Sequence, residues 1–482
     1  MTANGARLFG PLFAAAVLLQ SVNAPAADPV TGEEAQQLER EMAALRQQLQ
    51  STQQQLQTAQ QQLESMQARM RQLEAQNEAL AAQQRQQAMQ SAAVAAQPDA
   101  GNPTGGAPVG GISPNLSLWG YGEVYYDRPV HVPELTEADL ARAVFGIGYR
   151  FDDRTLFNSE FEIEHAVSSA SDRGEFEVEQ FYVDHRISPW VGARAGLFLL
   201  PFGLLNEHHE PTQFYGVKRN YVEKLIIPST WREGGLGVHG ETPLGLTWDA
   251  GVTTGINLRD WNFTPAAPFY RSSLDLEAAD IAPLQATHQE LEFANAQHLA
   301  QYAALNYSGV PGLLAGAAVF SGKSAVPAGF PGVRATLWEV HTRWAAAGAD
   351  LSAVYAHGSF SGTAQLNLAN PGASNPLPSE FLGYFLQGAY TVWEQGTYRL
   401  SPFLRWEHYD MGASYEGIPP GFTTVPAGPA PDGKPWPQPR DRVWTLGANF
   451  YLTPNVVLKA DYQHFDVNAD FSSIDLGLGV SF

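Results

Sequence analysis

The last ten residues of the chain, 473–482, read SIDLGLGVSF. From Ile474 every second residue is apolar, up to the terminal Phe482, and the residues between are acidic or small. Because successive side chains of a β-strand point to opposite faces of a sheet, this period of two predicts a strand with one apolar and one polar face. A single strand of this kind also occurs in soluble β-sandwiches, so the fold class depends on whether the pattern recurs.

The alternation does recur, and in several segments its polar face carries charges. Glu160, Glu162 and Glu164 alternate with Phe161 and Ile163. Similar segments contain Lys459 and Asp461, or Glu339, His341 and Arg343. Regularly spaced charges inside a dry packed core would cost a large free energy, whereas a wet interior tolerates them. The pattern therefore predicts a sheet closed around a hydrated interior, with apolar side chains outside.

Sixteen such segments can be counted, an even number as expected for a single-chain transmembrane barrel. They start near residues 116, 143, 157, 176, 191, 235, 246, 299, 313, 334, 349, 381, 398, 441, 456 and 473. Short turns alternate with long connections almost throughout, which a soluble β-protein has no reason to do. A break in the alternation near Gln180 indicates a β-bulge in the fourth segment. We predict an all-β fold, a 16-stranded antiparallel transmembrane β-barrel over 115–482, preceded by an α-helical coiled coil.

The N-terminal part has three further segments. Residues 1–26 combine one basic residue, a short apolar run and a small-residue cleavage pattern, which predicts a secretory signal peptide; a short membrane anchor is the alternative. Residues 27–90 contain about seven heptads, with Asn77 at an a position, and predict an oligomerising periplasmic coiled coil. A Gln-rich tether is the alternative there. Residues 91–114, rich in Gly, Pro and Ala, predict a linker.

Composition excludes several functions. The formal net charge is −21, from 28 basic and 49 acidic residues, which disfavours a nucleic-acid partner. The absence of cysteine excludes disulfides and thiolate metal sites. The run Glu207-His208-His209-Glu210 offers possible metal ligands, but adjacent residues seldom converge on one ion, so we expect structural hydrogen bonds instead. No metal, cofactor or catalytic site is predicted.

Residues 196–240 carry a resemblance to a known family. The motifs are Gly196-Leu197-Phe198, Pro201-Phe202-Gly203, Asn206-Glu207, His209-Glu210-Pro211, Phe214-Tyr215-Gly216-Val217, Arg219-Asn220, Ile227-Pro228, Thr230-Trp231 and Glu233-Gly234. This segment resembles the phosphate-selective porin O and P family, and the coiled coil ahead of a barrel is similar to that of DcaP-like trimeric channels. The resemblance implies a homotrimer of barrels in the outer membrane of a Gram-negative bacterium. The aromatic terminus Phe482 resembles the signal read by the outer-membrane assembly machinery.

In trimeric porins the loop after the fifth strand folds inward and narrows the channel, and residues 200–233 take that position here. The resemblance therefore implies constriction residues Lys218, Arg219, Lys224 and Arg232. Strand parity adds inward-facing basic residues, namely Arg186, Arg194, Arg343, Arg399, Arg405 and Lys459. Parity also turns Glu160, Glu162, Glu164, Glu177 and Glu179 inward. Either opposite walls carry opposite charge, or these glutamates lie at a vestibule.

Three functions fit these expectations. The first is a water-filled porin for passive diffusion of small hydrophilic solutes, among them anions such as phosphate or dicarboxylates, which needs only a pore and lining charges. The second is a structural anchor or spacer that reaches the peptidoglycan of the cell wall through the coiled coil. The third is an outer-membrane barrel enzyme, for which no Ser/His pairing is evident in the sequence.

Overall fold

The structure is a computed structural model that describes residues 115–167, 174–259, 261–263, 281–418 and 438–482. The signal peptide predicted for 1–26, the coiled coil for 27–90 and the linker for 91–114 lie outside the described residues. Among the described residues, no helix has both the length and the apolar character needed to cross a membrane.

Sixteen strands make up the sheet in the described part of the chain. They are β1 Leu116–Pro129, β2 Glu137–Arg150, β3 Thr155–Glu164, β4 Phe176–Ser188, β5 Val191–Leu199, β6 Arg232–Glu241, β7 Leu246–Thr254, β8 Leu299–Tyr307, β9 Leu313–Lys323, β10 Arg334–Ala346, β11 Ala349–Ser361, β12 Glu380–Tyr390, β13 Tyr398–Ser414, β14 Arg440–Thr453, β15 Val456–Phe465 and β16 Ser473–Ser481. A three-residue piece, Trp393–Gln395, continues β12 after an interruption and pairs with β13.

Each strand pairs antiparallel with the next, and the last strand pairs with the first. Val124 of β1 lies opposite Leu478 of β16. Beyond β16, the backbone N–H of Phe482 donates to the carbonyl of Gly120 at 2.8 Å, and the N–H of Gly120 donates back at 3.1 Å. The sheet therefore has no free edge, and the predicted 16-stranded antiparallel closed barrel is confirmed.

Two strands begin earlier than their alternation indicated. β2 begins at Glu137 rather than near 143, and β6 begins at Arg232 rather than near 235. Ala138 and Leu140 alternate with Glu137 and Asp139, but Ala141 has no partner in β1, and this register shift interrupts the period of two ahead of residue 143. In β4 the pairing skips Glu179, because Glu160 lies opposite Gln180 and Phe161 opposite Val178. This irregularity is the β-bulge expected near Gln180.

Apolar side chains cover the outside of the barrel and polar ones point inward. In β16, Leu476 is 50% exposed whereas the neighbouring Asp475 is 0% exposed. The outward-facing set is large and apolar, and includes Leu118, Phe145, Phe181, Leu236, Leu305, Trp338, Leu386, Leu404, Trp444, Leu446 and Leu458. This polarity is the reverse of a soluble domain, and it suits a barrel surrounded by lipid.

The connections differ between the two ends of the barrel. Seven short turns lie at the end where β1 begins and β16 ends, as the sequence predicted. Exposed aromatic side chains gather at this end of the strands: Tyr149, Phe151, Trp190, Tyr307, Trp344, Tyr390, Trp393, Tyr398 and Phe482. We call this the turn end, and the opposite end, with its longer connections, the loop end. Aromatic rings at such a level are typical of a membrane–water boundary.

Helical structure is confined to short pieces of the loop-end connections among the described residues. These are 3₁₀ turns at Pro133–Leu135 and Ala469–Phe471, a helical turn at Val222–Ile226, and helix α1 at Ala364–Ala369. The connection between β5 and β6, residues 200–231, is mostly buried. Its path determines which inward side chains remain accessible to a solute.

Candidate functional site

The β5–β6 connection, residues 200–231, crosses the interior of the barrel, and we call it the inward loop. Its residue Tyr221 donates a backbone hydrogen bond to the carboxylate of Glu407 on β13 at 2.6 Å. The Tyr221 hydroxyl donates to Gln463 Oε1 on β15 at 2.7 Å. β5 and β13 lie eight strands apart in either direction around the ring. A segment that leaves β5 and contacts inward side chains of β13 must therefore span the lumen.

Polar side chains of the far wall hold the backbone of the inward loop. Asp461 accepts from the N–H of Val217 at 2.6 Å, and Asn449 accepts from the N–H of Gly216 at 3.2 Å while donating to the carbonyl of Phe214 at 3.0 Å. These backbone groups are buried away from water and need such partners. Gly216 has φ +88°, a conformation that favours glycine, so the sequence provides for this tight approach.

The remaining part of the inward loop builds an apolar cluster inside the barrel. The ring of Trp231 packs against Phe202 at 5.0 Å and against Phe320 of β9 at 4.8 Å, centroid to centroid. The carboxylate of Glu223 accepts from the backbone N–H groups of Leu204 at 2.5 Å and Leu205 at 2.8 Å, and burial raises its pKa. The interior is therefore not wet throughout, because this cluster occupies part of it.

In the described part of the chain, two cavities of several hundred Å³ are lined by inward-facing charged residues, at different levels of the barrel. The loop-end cavity has a volume of about 470 Å³, and residues of β1 to β4, the inward loop and residues 285–290 line it. The turn-end cavity, of about 540 Å³, is lined by residues of β2 to β8 with Pro201 and Glu207 of the inward loop. Both cavities carry charged side chains, as a path for hydrophilic solutes requires.

Charges of both signs face the loop-end cavity. The basic residues are Arg142, Lys218, Arg219, Lys224 and Arg232, and the acidic ones are Glu123, Glu137, Glu162, Glu164, Glu175, Glu177 and Glu290. Four of the predicted constriction residues, Lys218, Arg219, Lys224 and Arg232, therefore lie together. The predicted inward glutamates of β3 and β4 are divided, because Glu162, Glu164 and Glu177 line the cavity whereas Glu160 and Glu179 are buried below it.

The basic residues of the loop-end cavity differ in their partners. Arg232 forms ion pairs with Glu177 and with Glu290, the latter at 3.1 Å. Arg142 pairs with Glu123 at 2.7 Å, and Lys218 pairs with Asp127.

Arg219 is held by hydroxyl groups. It donates to Ser229 Oγ at 2.6 Å and Thr230 Oγ1 at 3.3 Å. Both of these acceptors are uncharged, unlike the carboxylates that pair with Arg142, Lys218 and Arg232.

Two neighbouring groups, outside the strands, have altered proton affinity. Burial raises the pKa of Glu290 to about 7, against the opposing effect of Arg232. Burial, followed by the charge of Arg232, lowers the pKa of His288 to about 3. Near neutral pH, Glu290 therefore changes charge while His288 stays neutral.

The other predicted basic residues lie elsewhere. Arg194 lines the turn-end cavity and forms an ion pair with Asp249. A second, longer ion pair joins Arg194 to Glu207 at 3.9 Å. Arg343, Arg399 and Arg405 do not line either of these two cavities, and their side chains range from 2% exposed for Arg405 to 40% exposed for Arg343.

These three residues support the far wall. Arg343 donates two hydrogen bonds to Asp350, at 3.0 and 2.6 Å, and Arg399 stacks over the ring of Tyr451 at 4.1 Å. Arg405 pairs with Glu407 at 2.9 Å and donates to the carbonyl of Tyr215 at 3.2 Å.

Sequence reasoning missed Arg142 and Glu290. Arg142 points inward, like Val144, whereas Phe145 and Ile147 of the same strand point outward. The strand was predicted to start near residue 143, one residue too late to include Arg142. Glu290 lies in the connection between β7 and β8, where no periodic pattern exists. Its approach to Arg232 follows only from the fold.

Comparisons with known proteins identify similar solved structures and a relative in sequence. Similar solved structures are a Salmonella typhi OmpF complex with daunomycin (13% identity, 76% of this chain and 98% of that chain, TM-score 0.49) and an anion-selective porin from Comamonas acidovorans (12%, 76% and 99%, 0.46). The outer-membrane channel DcaP of Acinetobacter baumannii is also similar (10%, 76% and 97%, 0.44). These similarities are too low for a solute or a selectivity to be transferred.

No family model matches the chain, so the resemblance to the phosphate-selective porin family stays a prediction. An uncharacterised protein of Aquifex aeolicus strain VF5 is 31% identical over 382 residues, which cover 77% of this chain and 80% of that protein. At that identity and coverage, the chain belongs to the same protein family as this Aquifex aeolicus relative.

Proposed function

We propose that the protein is an outer-membrane porin through which small hydrophilic solutes diffuse passively. The observation that carries the proposal is the closed 16-stranded barrel, apolar outside, whose interior contains charged cavities at two levels. An apolar outer face with aromatic side chains near the turn end suits a bilayer. Passive diffusion needs a hydrated path and lining charges, and no catalytic group.

The inward loop is the proposed constriction, and its charges set the preference among ions. Lys218, Arg219 and Lys224 face a cavity that also contains Glu162 and Glu164 of the opposite wall. Fixed charges in a narrow passage of low dielectric act more strongly than charges at a surface. Because both signs are present, we propose a channel of weak charge selectivity that admits small anions such as phosphate and dicarboxylates beside neutral solutes.

Conductance of the purified protein in planar bilayers tests this function. We expect discrete ohmic steps in molar salt and a small reversal potential in a salt gradient. Membranes that contain the folded protein, verified by the heat-dependent mobility shift of barrels on gels, yet show no steps, would contradict the porin proposal. Strong cation selectivity would contradict the passage of phosphate.

We further propose a homotrimer whose residues 27–90 form a periplasmic coiled coil, with residues 1–26 removed as a signal peptide and Phe482 recognised by the assembly machinery. The support is the heptad pattern, since a narrow apolar stripe on a helix needs partner helices. Deleting 35–83 should lower the temperature at which the trimer dissociates on semi-native gels while each barrel still conducts. An unchanged dissociation temperature would contradict the trimerising role and leave the cell-wall spacer as the function of this segment.

A further inference from the structure

Three residues from separate parts of the chain meet in a buried cluster beneath the loop-end cavity. Glu160 lies on β3, Glu179 is the bulge residue of β4, and His209 belongs to the inward loop. Their potential ligand atoms lie within 4.8 Å of one another, and all three side chains are buried. Glu179 and His209 approach most closely, with Nε2 of His209 3.1 Å from Oε1 of Glu179. The alternation of β3 and β4 predicted that Glu160 and Glu179 face inward, but it did not predict that they meet His209.

The orientation of His209 leaves Nε2 available as a ligand. Its Nδ1 lies 2.9 Å from the backbone carbonyl of Asn206, which accepts a hydrogen bond and thereby fixes the proton on Nδ1. A histidine that coordinates a metal commonly has this arrangement, with its other ring nitrogen bonded to a backbone carbonyl. Nε2 therefore presents a lone pair toward Glu179.

The Tyr121 hydroxyl cannot donate hydrogen bonds to both Nε2 of His209 and the carboxylate of Glu179. The Tyr121 hydroxyl is 2.6 Å from Nε2 of His209 and 3.2 Å from Oε2 of Glu179, but it has one proton to donate. Among the residues that the structure describes, Oε1 of Glu179 has no hydrogen-bond partner, and this side chain is 0% exposed. A carboxylate oxygen and an imidazole lone pair would thus face each other across 3.1 Å with nothing between them. Such an arrangement is costly in a buried site, and either a proton or a metal cation between the two atoms removes that cost.

The outer contacts of Glu160 orient its carboxylate. Its Oε1 accepts from Trp119 Nε1 at 2.7 Å, and its Oε2 accepts from the side-chain amide of Gln180. Hydrogen bonds of this kind position a ligating carboxylate while leaving further lone pairs for a metal. Arg142, which donates to the backbone carbonyl of His209, is paired with Glu123, and this pairing reduces its repulsion of a bound cation.

We propose that Glu160, Glu179 and His209 form a binding site for a divalent transition-metal ion, either Zn²⁺ or a first-row neighbour such as Co²⁺. One imidazole and two carboxylates suit these ions, whereas Ca²⁺ and Mg²⁺ prefer sites made of oxygen alone. Bonds of about 2.0–2.2 Å to nitrogen and oxygen bring cis ligands roughly 3 Å apart. The separation of His209 and Glu179 already meets this requirement, and a modest rotation of Glu160 completes the set.

The site would fasten the inward loop to the wall of the barrel. His209 lies on the loop, while both glutamates lie on strands, so the metal would connect elements that are otherwise linked here through Tyr121 and Arg142. This role does not depend on conduction. The adjacent His208 is exposed and belongs to the same loop, so it provides a matched control for His209.

Metal binding to the whole purified protein tests the inference. After treatment with chelator, the protein is titrated with Co²⁺, the visible absorption bands are recorded, and Zn²⁺, Ca²⁺ and Mg²⁺ are added as competitors. We expect one Co²⁺ per chain, displaced by Zn²⁺ but not by millimolar Ca²⁺ or Mg²⁺. His209→Gln should weaken binding by at least about tenfold, a change of the size seen when metal sites lose a supporting group, whereas His208→Gln should bind like the wild type.

Folding of each variant is checked by the heat-dependent mobility shift, and Glu179→Gln provides a second variant with a nearly unchanged shape. Absence of bound Co²⁺ in the folded wild type would overturn the site. Equal affinity of the wild type, His209→Gln and Glu179→Gln would also overturn it. If neither variant folds, the wild-type titration and the His208→Gln control decide, since binding lost in His208→Gln would place the metal elsewhere.

Discussion

Basic side chains face the interior in two regions of the barrel, and the two regions use them differently. At the loop-end cavity, Arg219 and its neighbours border an accessible space of about 470 Å³. On the far wall, the side chain of Arg405 is 2% exposed and lies behind the inward loop, where it pairs with Glu407 and donates to the carbonyl of Tyr215. Both sets look alike by strand parity. An inward charge therefore reaches a solute only where the inward loop does not cover it.

The energetic consequences of this difference are opposite. A charge beside a hydrated cavity keeps part of its solvation, so its loss changes the local potential more than the stability. A charge in a buried ion pair has lost its solvation, so removing its partner leaves an uncompensated charge. Substitutions in the two regions should therefore affect different measurements.

The largest effect is expected on the covered side. Arg405 is 2% exposed at its side chain and pairs with Glu407, which is 0% exposed. Arg405→Ala leaves the Glu407 carboxylate buried without this guanidinium and should lower the free energy of unfolding by about 3 kcal/mol, the usual cost of breaking a buried pair. Urea-induced unfolding of the protein in lipid vesicles, followed by tryptophan fluorescence, measures the change.

An exposed arginine near the same strands serves as the control. Arg442 of β14 is 59% exposed and pairs with Asp466, so Arg442→Ala should change the unfolding free energy by less than about 0.5 kcal/mol. If both variants lose similar stability, the division into covered and accessible charges is wrong. A large change of ion selectivity in Arg405→Ala would also contradict this division, because a covered charge should not affect permeating ions.

The next effect concerns selectivity on the accessible side. Arg219→Ala removes a charge that hydroxyl groups hold beside the loop-end cavity. We expect the anion-to-cation permeability ratio to fall roughly fivefold, equivalent to about 1 kcal/mol, because a partly screened charge near the path contributes about that much. Reversal potentials in a potassium chloride gradient measure the ratio.

Arg399 provides the matched control for Arg219. It was also predicted to face inward, but it stacks on the ring of Tyr451 and does not line either of the two interior cavities. Arg399→Ala should leave the permeability ratio within experimental error of the wild type. Equal shifts in the two variants would mean that ions also pass along the far wall, and the assignment of the inward loop as the constriction would be lost.

Much of this architecture could be predicted because it follows from local patterns. Period two marks a strand with two unlike faces, and short turns such as the one at Ala347-Gly348 mark where strands reverse. The bulge at Glu179 also disturbed that alternation visibly. Strand count, inward faces and the turn end therefore needed no knowledge of long-range contacts.

The division between accessible and covered charges could not be predicted. Arg405 bonds the carbonyl of Tyr215, which is 190 residues away in sequence, and His209 meets Glu179 through the path of the inward loop. Strand parity gives direction but not neighbours, and a long connection has no period from which its course can be read. The apolar cluster around Trp231 was likewise hidden, since its residues appear as ordinary loop sequence.

The smallest effect is a pH dependence on the accessible side. Glu290 is uncharged below about pH 7 and charged above it, because burial raises its pKa. Raising the pH from 6 to 8 adds a negative charge beside Arg232, so the anion-to-cation permeability ratio should fall by about twofold, less than for Arg219→Ala because Arg232 offsets part of the new charge. Reversal potentials measured at both pH values check this.

Glu290→Gln isolates this contribution from the other charged groups that line the same cavity, among them Glu162, Glu164, Glu175, Glu177 and Arg232. In that variant the difference between pH 6 and pH 8 should shrink. The same proton also affects stability: a carboxyl with a raised folded pKa stabilises the fold at low pH, and this contribution is lost as the pH rises from about 4.5 to about 7. Glu290→Gln should therefore unfold at a higher urea concentration than the wild type at pH 8 and at a similar one at pH 4. An unchanged pH dependence of selectivity would show that Glu290 lies away from the ion path, and the accessible region would then be limited to the inward-loop side of the cavity.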